Sequence, residues 1–426
     1  MIKKILKIVL VIVILLAIGL GAYWLFDRGQ GGSGLPFSGD ISIGDLFPFG
    51  SGGSDNGDNT PITNPNPDDT NPNPNIPVAP PRLWQISVDP QSGVVAFNAS
   101  SSATRIPTVR FVDKATGNVF ESSLTLLGQR RVSNTTIPKV YEALWQPSGN
   151  SLVVRYLDEN NETIKSAYGK IGAATTAATA GDSADQFQEL QTTFLSNDIT
   201  SLSINKSNSN LAFVIKNLSG SQIFVADQTG SNPKKVFESS IKDLAISWVS
   251  NTTLGLLTKP SADAVGQFYF LKTDTGSLSR VMGGKNGLSA LANPGGTKVF
   301  FSESRNNSFS SGILDPKTGV ETKTPFSTLS DKCVWSEKTA YLYCATPKSI
   351  PSGKYPDHWY QGKISLTDTL WRVDSSSGST EFLFDPSTIN ESGIDAINLT
   401  LDPDEEYLVF TNKKDSQLWG LKIQGN

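Results

Sequence analysis

From Trp84 to the C-terminus, short apolar runs alternate with turns rich in Pro, Gly and Asn. The pattern recurs seven times, at intervals of roughly 43 to 66 residues. Each copy reads as an apolar strand, a turn and a second apolar strand. Most copies add a third strand and a short fourth. The first turns lie at 89–93, 146–150, 205–210, 249–252, 293–296, 336–338 and 402–406. Runs such as Val94-Val95-Ala96-Phe97, Leu211-Ala212-Phe213-Val214-Ile215 and Tyr407-Leu408-Val409-Phe410 follow them. Continuous apolar runs of this length suit strands covered on both faces.

A second turn repeats in register with the first, where third strands are expected to end. Its copies include Asp113-Lys114-Ala115-Thr116-Gly117, Asp227-Gln228-Thr229-Gly230 and Asp374-Ser375-Ser376-Ser377-Gly378. Gly supplies the positive φ of a tight turn, and Asp bonds the backbone two residues on. Two periodic turns in one frame predict an all-β, seven-bladed β-propeller over residues 82–426. The last repeat stops after three strands. Either residues 76–83 return to close the ring, or the last blade keeps three strands. Pro77, Pro80 and Pro81 suit only an edge position, because they lack an N–H donor.

The turns Trp145-Gln146-Pro147-Ser148-Gly149, Trp248-Val249-Ser250-Asn251 and Trp335-Ser336-Glu337-Lys338 resemble worn copies of a Trp-Ser-Pro-Asp-Gly consensus. That consensus belongs to WD40-like propeller repeats of the TolB type. The resemblance covers about residues 82–426 and implies a propeller with a role in protein–protein contacts at the cell envelope. No copy keeps the full motif, so partners do not transfer with it.

The pattern before the repeats differs. Lys3, Lys4 and Lys7 precede an uncharged stretch, 8–26, close to the ~20 residues that span a bilayer. Tyr23 and Trp24 stand at its outer end. The lysines orient residues 1–7 to the cytoplasm, which puts the rest of the chain outside. One reading is thus a single-pass protein of the cell membrane, with 8–26 as an uncleaved transmembrane signal anchor. The other is a cleaved signal peptide. Residues 27–81 are Gly/Ser-rich, then Pro/Asn-rich, the composition of a disordered stalk. Such a linker spans roughly 40 Å as a coil and over about 100 Å when extended. Within it, 35–49 is too apolar for an inert spacer and suggests a docking segment.

Charged residues make up 18% of the chain, and net charge is −4. No basic excess points to nucleic acid. The low charged fraction and the two cysteines suit an oxidising exterior. Cys333 and Cys344 fall on two strands joined by a hairpin near 337–339, where a disulfide can bridge cross-strand neighbours. Two reduced, buried cysteines would be the alternative.

Catalytic motifs are absent. His358 is the one histidine, and no nucleophile elbow, zinc helix or phosphate loop occurs. No catalytic residue, metal site or cofactor is therefore assigned. Glycosidase chemistry needs only two carboxylates and stays open. The cluster 402–406 resembles a calcium ligand set, but it occupies a hairpin turn. The largest insertion, 346–363, sits in the sixth repeat and carries Tyr355, His358, Trp359 and Tyr360. These rings are either binding anchors for a protein or glycan, or a local satellite core. Three functions follow in order: a non-catalytic binding or scaffolding module at the cell envelope, an enzyme acting on glycan or peptidoglycan, and a structural spacer. Oligomeric state is not encoded in any visible signal.

Overall fold

The computed structural model describes residues 78–101, 104–174 and 187–423. They form seven four-stranded antiparallel sheets, and each sheet is one blade of a β-propeller. The innermost strands, in blade order, are Gln91–Ser101, Val140–Trp145, Ile199–Ile204, Leu244–Ser250, Ser289–Ala292, Cys333–Trp335 and Ala396–Leu401. Inner strands of neighbouring blades pack on one another around the axis, for example Gln91–Ser101 on Val140–Trp145 and Ile199–Ile204 on Leu244–Ser250.

The core is divided as the architecture requires. Each of the seven blade-to-blade interfaces holds its own apolar cluster. Leu211-Ala212-Phe213-Val214 is buried throughout, because a middle strand has a blade on either face. This explains continuous apolar runs where a one-sided sheet would alternate.

Ring closure corrects the expected frame. Leu83–Gln85 pairs with Leu418–Lys422 and supplies the outermost strand of the seventh blade. The last blade therefore has four strands. The closing segment begins at Leu83, where the expected 76–83 ends, and Pro80 and Pro81 lie outside it. Trp84 packs edge-on against Tyr407, with ring centroids 6.1 Å apart. The turn at 89–93 consequently leads into the first blade and is not that blade's first hairpin. Likewise, 113–117 joins second to third strand in blade 1, whereas 227–230, 274–276, 315–319 and 374–378 join third to fourth. Equivalent turns hid this one-strand offset. Only the unpaired edge of Leu418–Lys422 decides which sheet recruits Trp84.

Among the described residues, no helix is long and apolar enough to cross a membrane. The expected anchor at 8–26 and the linker up to 77 lie outside the described residues, as do residues 102–103 and 175–186. Val78 already touches the propeller, since its carbonyl accepts the Leu127 N–H at 2.8 Å.

Candidate functional site

The two ends of the ring differ in chemistry. First-to-second turns gather at one end. Second-to-third turns and blade-to-blade links gather at the other, because consecutive strands are antiparallel.

At the first end, a cavity of about 530 Å³ is open on the axis. Blades 3 to 6 line it with Ser203, Asn205, Ser247, Trp248, Leu291 and Trp335, and Leu399 of blade 7 completes it. Its two charged lining residues, Lys206 and Glu337, pair with each other at 2.5 Å. Hydroxyls, amides and indole rings make up most of the remaining polar and aromatic surface. A cleft of about 460 Å³ also opens between blades 5 and 6, lined by hairpin residues such as Asp315 and Ser375. Asp315 there is occupied by Lys298 at 3.1 Å and by its own turn N–H groups.

At the other end, the sixth-repeat insertion lies across three blades. Its short helix, Asp357–Tyr360, is pinned by contacts to second-to-third turns and to blade links. The Ala262 N–H donates to Asp357 Oδ2 at 2.6 Å, and Lys354 Nζ meets Asp263 Oδ2 at 2.6 Å. Gly353 N–H donates to the Asn307 carbonyl at 2.7 Å. Gly287, in the link from blade 4 to blade 5, has φ +60°, and a Cβ there would lie 2.7 Å from the Tyr355 carbonyl. The insertion is thus close-packed on the ring.

Its four rings have different fates. Tyr355 and Trp359 are 0% and 2% exposed, in an eighth apolar cluster with Phe309, Leu329 and Leu366. Tyr355 stacks edge-on against Phe309 at 4.8 Å and donates its hydroxyl to Pro351 O. His358 is half-buried, and its Nδ1 accepts the Lys354 N–H at 3.3 Å within its own turn. Tyr360 alone stays open, at 40% exposure, and its hydroxyl donates to Asp331 at 3.1–3.2 Å. Of the four candidate rings, Tyr355 and Trp359 thus pack inside, drawn in by the apolar covered face, while Tyr360 stays on the surface.

Under Trp359 lies a charged group that sequence reasoning missed. Lys332, Asp368 and Asp395 have side chains with 0% exposure. Lys332 Nζ is 2.5 Å from Asp395 Oδ1 and 2.7 Å from Asp368 Oδ2, and it also donates to Ala396 O at 3.0 Å. Burial raises Asp368 to about 6, although the Lys332 charge opposes the shift. Burial also pushes Asp395 upward, but Lys332 and hydrogen bonds from Leu366 and Trp359 outweigh it and leave that carboxyl below its usual value. The amines of Lys332 and Lys413 each lie 5.1 Å from the Trp359 ring. No local motif marks these residues, because the three come from separate blade links and strands.

Carboxylates elsewhere have structural duties. Asp402 accepts the Tyr407 N–H at 2.6 Å and the Asp404 N–H at 3.0 Å, which closes its own turn. Glu405 accepts Ser336 Oγ at 2.8 Å and locks blade 7 to blade 6. Among the described residues, no cluster could hold a metal ion. Cys333 and Cys344 are register partners and form the expected disulfide, with Cα atoms 4.1 Å apart.

No family model matches the sequence, and no curated protein matches it. The chain is similar in shape to several solved structures. Tricorn protease shows 8% identity and a TM-score of 0.48, covering 81% of this chain and 34% of that one. The β-propeller domain of the Trilobed protease from Pyrococcus furiosus shows 9% identity and a TM-score of 0.47, covering 78% and 96%. TolB from Acinetobacter baumannii shows 12% identity and a TM-score of 0.40, covering 78% and 80%. The chain spans about a third of tricorn protease. These likenesses are distant, and the fold rests on the seven sheets themselves.

Proposed function

We propose that this chain is a non-catalytic binding module at the cell envelope, which holds a neutral polar segment of a protein or glycan in its axial cavity. The observation that carries this reading is the lining. Ser203, Ser207, Ser247 and Asn251 offer neutral hydrogen-bonding groups beside the half-buried ring of Trp248. The two charged residues neutralise each other. A hydrolase of the glycosidase kind needs two carboxylates facing substrate, and this cavity presents one, already paired. Indole and amide groups around a concave site are the usual means of holding an uncharged ligand.

Residues 8–26 serve as the membrane tether in this reading, and the stalk carries the propeller away from the surface. The disulfide between Cys333 and Cys344 supports an oxidising compartment.

The test is in-cell crosslinking with mass spectrometry, comparing the wild type with Asn251→Trp, which fills the exposed mouth of the cavity. Partners captured by the wild type and lost by the variant support the reading. An identical partner set in both, or glycan turnover by the wild type, overturns it.

A further inference from the structure

We propose that Lys332 and Asp395 condense to an intramolecular amide bond, with Asp368 moving the protons. Three observations carry this. First, amine and carboxylate are held in contact at 2.5 Å with no exposed surface on either side chain. Second, a further carboxylate, Asp368, touches the same amine at 2.7 Å. Its Oδ2 also accepts the Ala396 N–H, whereas its Oδ1 is buried without any hydrogen-bond partner. An oxygen that must pick up and release protons needs a free lone pair. Third, Asp395 Oδ2 receives three donors: Leu366 N–H at 2.9 Å, Trp359 Nε1–H at 3.0 Å and Ser365 Oγ–H at 3.2 Å. Donors converging on one carboxyl oxygen are what a tetrahedral oxyanion requires.

The step balances without an external reagent. Asp368 takes a proton from the Lys332 ammonium and delivers it to Asp395 Oδ1, which leaves a neutral amine facing a neutral carboxyl. The amine attacks Asp395 Cγ, and a C–N bond forms while Oδ2 carries the negative charge among its three donors. A second proton then leaves the nitrogen and passes through Asp368 to Oδ1. The C–Oδ1 bond breaks, and Oδ1 departs as water. An ammonium and a carboxylate thus become an amide and one water, and Asp368 ends as it began. Exclusion of bulk water from the pocket favours condensation over hydrolysis.

The link would join the strap that leads into blade 6 to the one that leads into blade 7. It complements the nearby disulfide, which acts within blade 6. It does not depend on the binding reading above.

The experiment is tryptic peptide mapping of the purified, reduced full chain. The expected product joins 324–338 to 373–413, one water lighter than the two peptides together, with cleavage at Lys332 lost. Asp368→Asn should return both segments unlinked. A free 324–332 peptide from the wild type overturns the proposal, and so does a link to 364–372, which would make Asp368 the electrophile. The wild-type map decides the matter even if the variant fails to fold.

Discussion

The indole N–H of Trp335 donates to the Leu291 carbonyl at 3.0 Å, so the inner strand of blade 6 is stitched to that of blade 5. Trp248 does the same to Ser203 of blade 3, and Trp145 to Gly93 of blade 1, each at 3.3 Å. The three best-kept tryptophans of the repeat therefore have one job: each bonds the inner strand of the preceding blade. Blades 3, 5 and 7 carry Ile204, Ala292 and Leu401 at the ends of their inner strands.

Replacing Trp335 with Phe should lower stability by about 2–3 kcal/mol. The change leaves the Leu291 carbonyl without its donor and opens space beside a 4%-exposed ring. Urea unfolding of the two proteins measures it. A loss below about 0.5 kcal/mol would show that the stitch is dispensable.

The disulfide closes a loop with a sequence separation of 11. Changing Cys333 and Cys344 together to Ala should cost about 2–3 kcal/mol, mainly by freeing the unfolded chain. Cys344 is fully buried, so a small thiol reagent should reduce the native protein slowly and the urea-unfolded protein fast. Alkylation followed by mass measurement at timed points reads both rates.

The rings of the insertion should separate by burial. Trp359→Ala removes a ring that is 2% exposed and should cost about 3–5 kcal/mol. Tyr360→Ala loses a rim hydrogen bond to Asp331 and a tilted ring contact with Trp359 at 5.5 Å, and should cost under about 1.5 kcal/mol. Thermal melting of both variants tests this ordering, and equal shifts would contradict the packing described.

Asp331 supplies a pH signature. Crowding by protein atoms raises its carboxyl above the ordinary value, against the Tyr360 hydrogen bond and the Lys332 charge, although the side chain keeps an exposed edge. A raised carboxyl holds its proton more tightly when folded. Its contribution is therefore complete below the unfolded value and is lost as pH rises through the folded one. Asp331→Asn should gain stability relative to the wild type as pH climbs from about 4 upward. Melting temperatures of both proteins across that range give the slope, and the opposite slope would refute the assignment.

The closing strand should be essential. A chain starting at Val78 keeps Leu83–Gln85 and should melt like the full protein. One starting at Pro90 bares the edge of Leu418–Lys422 and strips Trp84 from Tyr407. It should melt several degrees lower and self-associate in gel filtration.

Much of this architecture was legible in the chain. Strand-length apolar runs, turn residues at fixed offsets and the hairpin carrying both cysteines are local signals, and each maps to an element present in the structure. The aromatic insertion was legible as an unusual segment, but not in its orientation. Whether Tyr355 and Trp359 face solvent depends on Phe309, Leu329 and Leu366, which lie in other parts of the ring.

What the sequence determined by itself was the number of blades and the position of most turns, because those follow from backbone propensity within a few residues. The tertiary structure alone decided three things. It assigned Trp84 to the seventh blade, because only an unpaired strand edge chooses a distant partner. It gathered Lys332, Asp368 and Asp395, because the links into blades 6 and 7 and the start of blade 6's third strand meet at one end of the ring. It also left the axial cavity nearly uncharged, because Lys206 of blade 3 meets Glu337 of blade 6 across the opening.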